Sequence, residues 1–148
     1  GEIKDVEACF SRIARVESRE RKDPKYGGAF LEYGGNALMP IIKILGRDYE
    51  SVTFDSLNNE LGTDDYTKVQ IRYKNAMATA KVGMAVKSEG QLIVAGTKFI
   101  GDGLRYEISE FVAKIHHMGE NAYKLTAGES IAITGIVEEF VRRKNVIK

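Results

Sequence analysis

Apolar and polar positions along this chain change period several times, and each change predicts an element. Residues 6–16, from Val6 to Val16, alternate imperfectly between apolar and polar side chains and predict a first strand. The charged stretch from Glu17 to Lys25, which contains Pro24, predicts a loop. Leu38, Ile41, Ile42 and Leu45 then recur at i, i+3, i+4 and i+7, the stripe of an amphipathic helix, and Gly46 supplies a stop. Pro40 disturbs that stripe. Inside a helix it removes the hydrogen bond to the Asn36 carbonyl and clashes with it, at roughly 3 kcal/mol. The pattern therefore predicts either a kink at Pro40 or a helix that begins near Met39.

Period 2 follows. Tyr49 to Leu57 puts Val52 and Phe54 on one face. Asp65 to Tyr73 sets Thr67, Val69, Ile71 and Tyr73 opposite Lys68, Gln70 and Arg72. Met77 to Lys87 sets Ala78, Ala80, Val82, Met84 and Val86 opposite Met77, Thr79, Lys81, Gly83 and Ala85. The short link Lys74-Asn75-Ala76 joins the last two as an antiparallel hairpin. Gln91 to Ala95, after the Glu89-Gly90 turn, reads as a fourth strand of this run. Leu104, Ile108, Phe111, Val112 and Ile115 form a helical stripe. A last helix opens at Thr126-Ala127-Gly128-Glu129, a capping box, and buries Ile133, Ile136, Val137, Phe140 and Val141. Arg142, Arg143 and Lys144 suit the negative end of its dipole. The expected fold is α+β: a mostly antiparallel open sheet with helices packed on one face, here the two closing helices.

The chain has 148 residues, the size of one domain, with 43% hydrophobic and 29% charged residues. Its 22 Lys and Arg against 21 Asp and Glu leave a net charge of +1, no electrostatic case for nucleic acid or an anionic membrane. No apolar run reaches the ~18–20 residues of a spanning helix, and Gly1-Glu2-Ile3-Lys4-Asp5 lacks the plan of a signal peptide. Cys9 is the only cysteine, so no internal disulfide forms. A cytoplasmic protein is the expectation.

The candidate chemistry lies in Gly27-Gly28-Ala29-Phe30-Leu31-Glu32-Tyr33-Gly34-Gly35-Asn36. Glu32 and Asn36 stand four apart, so a helix would show both to one ligand. The bland alternative leaves Glu32 capping or pairing locally and Asn36 satisfying backbone near Pro40. Other groups have ordinary readings. His116 and His117 are adjacent and point about 100° apart on a helix, unsuited to one metal. Cys9 reads as a small buried residue. Asp64-Asp65 with Glu60 fits no calcium loop and reads as a solvated turn. Arg19-Glu20-Arg21-Lys22 reads as a solvated, mixed-sign loop.

Taken in order, Gly27 to Gly34 resembles "GGALxDxG", and Val94-Ala95-Gly96-Thr97-Lys98 resembles "xGTKG". Gly103-Leu104-Arg105-Tyr106-Glu107 to Phe111, and Leu125 to Ser130, resemble two closing helices. Together these resemble the C-terminal domain of the glucose-fructose oxidoreductase/inositol dehydrogenase/MocA (Gfo/Idh/MocA) family of NAD(P)-dependent oxidoreductases, over nearly all of the chain. The resemblance implies that residues 1–148 are a substrate-binding and oligomerisation domain whose Rossmann cofactor domain is absent. It implies a sugar or polyol substrate, NAD or NADP in the parent protein with no cofactor in this chain, and a homodimer through the open sheet face. It places Glu32 and Asn36 on the substrate side, with Lys25 and Tyr26 nearby in the loop after the first strand.

Three departures qualify it. No strand leads into G-x-G-x-x-G; Gly101-Asp102-Gly103 lacks both the third glycine and the βαβ context. The family commonly shows Asp and, four residues on, His; here Glu32 and Asn36 stand there, and Met39 replaces a further Asp. Asparagine cannot exchange protons in the useful pH range, so no catalytic residue is assigned and the isolated chain is expected to be inactive. The join Thr97 to Gly103 is short, implying either a deletion or an omitted segment between residues 100 and 101. The alternative function is a non-enzymatic dimerisation or ligand-binding module built on the same fold.

Overall fold

A computed structural model describes residues 1–15, 17–88, 90–97 and 125–146. The stripe Leu104–Ile115, His116, His117, Val16 and the join from Lys98 to Gly103 lie outside the described residues. Five strands form one sheet: β1 (Ile3–Ser11), β2 (Ser51–Asn58), β3 (Asp64–Arg72), β4 (Met77–Gly83) and β5 (Gln91–Gly96), in the order β2-β3-β4-β1-β5. Three pairings are antiparallel, and β1 runs parallel to β4. The fold is therefore α+β with a mostly antiparallel open sheet. The β3–β4 hairpin closes through the Tyr73 N–H, which donates to the Ala76 carbonyl at 2.9 Å.

Three helical segments are described: α1 (Arg19–Lys22), α2 (Ala29–Leu45) and α3 (Ala127–Val146). Both long helices serve one face of the sheet. Phe30, Leu38 and Ile41 of α2 are fully buried over Val6, Val69, Ala80 and Val82, and Ile136 and Phe140 of α3 complete the core. Three rings weld the layers: Phe30 of α2 lies 4.7 Å from Phe140 of α3 and 5.7 Å from Phe54 of β2. Phe54 and Phe140 are 5.4 Å apart. Alternation on β3 is as expected, with Thr67, Val69 and Ile71 buried and Gln70 and Arg72 exposed.

Three expectations need correction. The first strand is Ile3–Ser11 rather than 6–16, because its ladder partners run out at Gly83 and Gln91. Only single bonds from the Arg12 and Ala14 N–H groups to the Gly83 and Met84 carbonyls continue it. The loop at 17–25 contains one turn of helix, α1. The main helix does not begin near Met39; it runs from Ala29 through Pro40 to Leu45. Burying Phe30, Leu38, Ile41 and Ile42 is worth about 1.5–3 kcal/mol each, which outweighs one missing hydrogen bond. Among the described residues α2 is the main cover of the sheet, with α3 packed beside it.

A candidate ligand face on the helix that covers the sheet

The start of α2 is held from three directions. Gly27 and Gly28 donate their N–H groups to the Asp23 and Glu20 carbonyls, both at 2.8 Å, which folds the loop back on α1. A Cβ on Gly27 would collide with the Glu20 carbonyl oxygen. Gly28, at φ 118°, stands against the Asp64 carboxylate, where no side chain fits. Asp64, at the head of β3, does the capping that Gly28 cannot. Its Oδ2 accepts from the Phe30 N–H at 2.9 Å and from the Thr67 hydroxyl at 2.8 Å. Next to it, Arg21 grips Asp65 through Nε at 3.2 Å and Nη2 at 2.7 Å, while the Asn59 amide bonds both Asp65 and the Arg21 carbonyl.

These contacts correct two readings. Asp64 is wholly buried and Asp65 mostly so; neither lies in a solvated turn. Arg21 is only 18% exposed and is not part of a solvated loop. Sequence spacing carried no signal for either, since the partners are 34 and 44 residues apart. Cys9 is half-buried rather than buried, with its Sγ 3.3 Å from the Ser88 hydroxyl.

From this anchored start, α2 shows solvent a stripe of Glu32, Gly35, Asn36 and Met39, spaced i, i+3, i+4 and i+7. The opposite side of the same turns is buried, so neither Glu32 nor Asn36 can turn away without rotating the helix. Lys43 continues the stripe but is taken by α3: its ammonium meets Glu129 at 2.7 Å with little exposure. Lys25 and Tyr26 lie in the turn that leads into α2. Asp23 Oδ1 accepts both of their backbone N–H groups, at 2.9 and 3.0 Å, and the Lys25 ammonium sits 4.8 Å from the centre of the Tyr26 ring. All four candidates are exposed, around the N-terminal half of one helix.

The other face of the sheet is polar and open. It carries a groove of about 270 Å³ lined by Asp5, Thr53, Gln70, Arg72, Met77 and Thr79. The groove lies across the sheet from α2 and includes none of the four candidates. Among the described residues no cluster of His, Cys, Asp and Glu could hold a metal ion. None of the described helices is long and apolar enough to cross a membrane.

Solved structures share this fold. An oxidoreductase from Bacillus cereus matches at a TM-score of 0.61 and 18% identity, over 100% of this chain and 56% of its own. An oxidoreductase from Thermotoga maritima matches at 0.59 and 18%, over 96% of this chain and 52% of its own. The WlbA dehydrogenase from Bordetella pertussis, whose structure holds NADH and UDP-GlcNAcA, matches at 0.53 and 19%, over 66% of this chain and 33% of its own. The chain therefore has the fold found in oxidoreductases and dehydrogenases of the Gfo/Idh/MocA type, and it spans from a third to about half of their length. No protein-family model matches the sequence, and no curated protein matches it significantly.

Proposed function

We propose that this chain is the substrate-binding and dimerisation domain of an NAD(P)-dependent sugar or polyol oxidoreductase, working with a dinucleotide-binding domain that these 148 residues do not supply. The observation that carries the reading is the exposed Glu32–Asn36 face on a helix otherwise buried against the sheet. A carboxylate that accepts and an amide that both donates and accepts suit the hydroxyls of a polyol. Lys25 and Tyr26, set in their Asp23-bonded turn, flank the same end. The shared fold with dehydrogenases supports the assignment.

Among the described residues, the start of α2 does not fit a nicotinamide dinucleotide. A helix start that follows a glycine pair could take a pyrophosphate, but at α2 the Phe30 N–H is already given to the Asp64 carboxylate, which would repel a second anion. Hydride transfer is therefore assigned no step on this chain. Asn36 orients and cannot move a proton. That last point favours a second reading, a ligand-binding or dimerisation module without catalysis.

Amide spectra of the chain titrated with polyols, sugars and nucleotide sugars test the proposal. Shifts confined to residues 25–36, weakened at least ~tenfold in Glu32→Ala and Asn36→Ala, are expected, with no response to NADH alone. Saturating ligand that leaves residues 25–36 unmoved would refute a substrate face there. Sequencing of the surrounding reading frame separates the two readings: an in-frame G-x-G-x-x-G domain supports the enzyme, an unrelated partner the module.

A further inference from the structure

Three elements converge on one buried carboxylate. Asp64 of β3 is fully buried, and its two oxygens have separate duties. Oδ2 accepts from Phe30 of α2 and from Thr67. Oδ1 makes no hydrogen bond among the described residues and faces the ammonium of Lys144, 3.6 Å away on the last turns of α3. Lys144 Nζ is itself shielded from solvent and makes no hydrogen bond there. Among the described residues, Asp64 is the carboxylate that faces that ammonium, which also lies 6.0 Å from the centre of the Phe140 ring.

We propose that Asp64 is a proton-operated latch: protonation at Oδ1 releases the Lys144 side chain from its place between α3 and β3, while Oδ2 keeps α2 capped. The attraction at Oδ1 exists only for the ionised carboxylate; a neutral carboxyl leaves a buried ammonium without a counter-charge, which is costly. Lysine has the reach to escape, since its four-carbon stem can carry the head, which lies 6.0 Å from the centre of the Phe140 ring, out to water. The cap needs no charge, because a neutral carboxyl keeps an oxygen that accepts from Phe30 and Thr67. The helix itself stays docked: Arg143, in the same turn, donates to the Val52 carbonyl at 3.2 Å and lies over the Phe54 ring, and Phe140 packs on Phe30.

Among the described residues, the charges around the latch are few. From α3 there is Lys144; from α2, the positive end of the helix dipole; from β3, Asp65, already bound bidentate by Arg21 of α1. Burial pushes the Asp64 carboxyl above its ordinary 3.8, and the bonds from Phe30 and Thr67 and the charge of Lys144 only partly pull it back. A raised folded-state value means that Asp64's contribution to stability is full below 3.8 and is lost as pH rises through the folded value. Acid therefore opens the latch without costing the fold stability through this group.

A pH titration of the whole chain by NMR reads it, following the Asp64 carboxyl carbon together with the amides of Phe30 and of residues 141–144. The amides at 141–144 are expected to move with the Asp64 titration while the Phe30 amide stays protected. In Lys144→Met the Asp64 midpoint shifts upward, and the amides of residues 141–143 lose their response. Asp64→Asn removes the response while keeping an acceptor for Phe30. Amides at 141–144 that ignore the Asp64 titration, or respond equally in Asp64→Asn, overturn the latch. If Asp64→Asn fails to fold, an Asp64 midpoint that does not move in Lys144→Met overturns it alone.

Discussion

Gly28 shows how much one residue can decide. Its φ of 118° is strained for any side chain, and a Cβ there would stand on the Asp64 carboxylate. The helix that carries Glu32 and Asn36 can thus be capped from β3 only because position 28 has no side chain. Gly28→Ala is expected to destabilise the domain by about 1–3 kcal/mol, read as a lower urea midpoint with an unchanged slope. It should also speed hydrogen exchange at Phe30 and Glu32 more than in the sheet. A variant with the stability of the parent would show that the strand-to-helix cap contributes nothing.

Between elements, Glu129 joins two helices. It completes the capping box of α3: the Thr126 N–H donates to its carboxylate at 2.7 Å, and its own N–H donates to the Thr126 hydroxyl at 3.3 Å. The same carboxylate holds Lys43 of α2 at 2.7 Å. Burial works to raise this carboxyl, but the bonds from Lys43 and Thr126 together outweigh it and hold it below its ordinary 4.5. Its contribution is accordingly present above pH 4.5 and lost as pH falls through the lower, folded value. Glu129→Gln should cost about 1 kcal/mol near neutrality and flatten the loss of stability on the acid side, as measured by thermal melts across pH. Equal pH profiles for the two proteins would remove the carboxylate from this role. Pro40 teaches a related lesson about α2: one missing backbone bond cannot end a helix whose buried side is worth several times more.

For the whole molecule, the open face of the sheet is the surface on which association is argued. Asp5, Glu7 and Asp55 alternate there with Lys68, Arg72 and Lys81, so the face carries both signs and could meet its own copy. Met77 and Ile93 stand on it half-exposed, at 56% and 49%. Light scattering is expected to show a dimer, and Met77→Glu to weaken it at least ~tenfold by placing a charge inside the contact. A parent protein that stays monomeric at high concentration removes this face as the interface.

The sequence by itself determined the elements whose causes are local. Alternation on β3 and β4 predicted which side is buried, the Thr126–Glu129 spacing predicted the helix start, and the i, i+4 pair predicted that Glu32 and Asn36 share a face. Each follows from a side-chain period or from a contact three or four residues long. Only the tertiary structure decided the parallel pairing of β1 with β4, the passage of α2 through Pro40, and the conversion of Asp64, Asp65 and Arg21 from apparent surface charges into the anchor of the candidate site. Those outcomes depend on partners dozens of residues away. A charge's neighbours in sequence say nothing of whether a distant strand or helix will bury it, and that burial is what gave these three residues their roles.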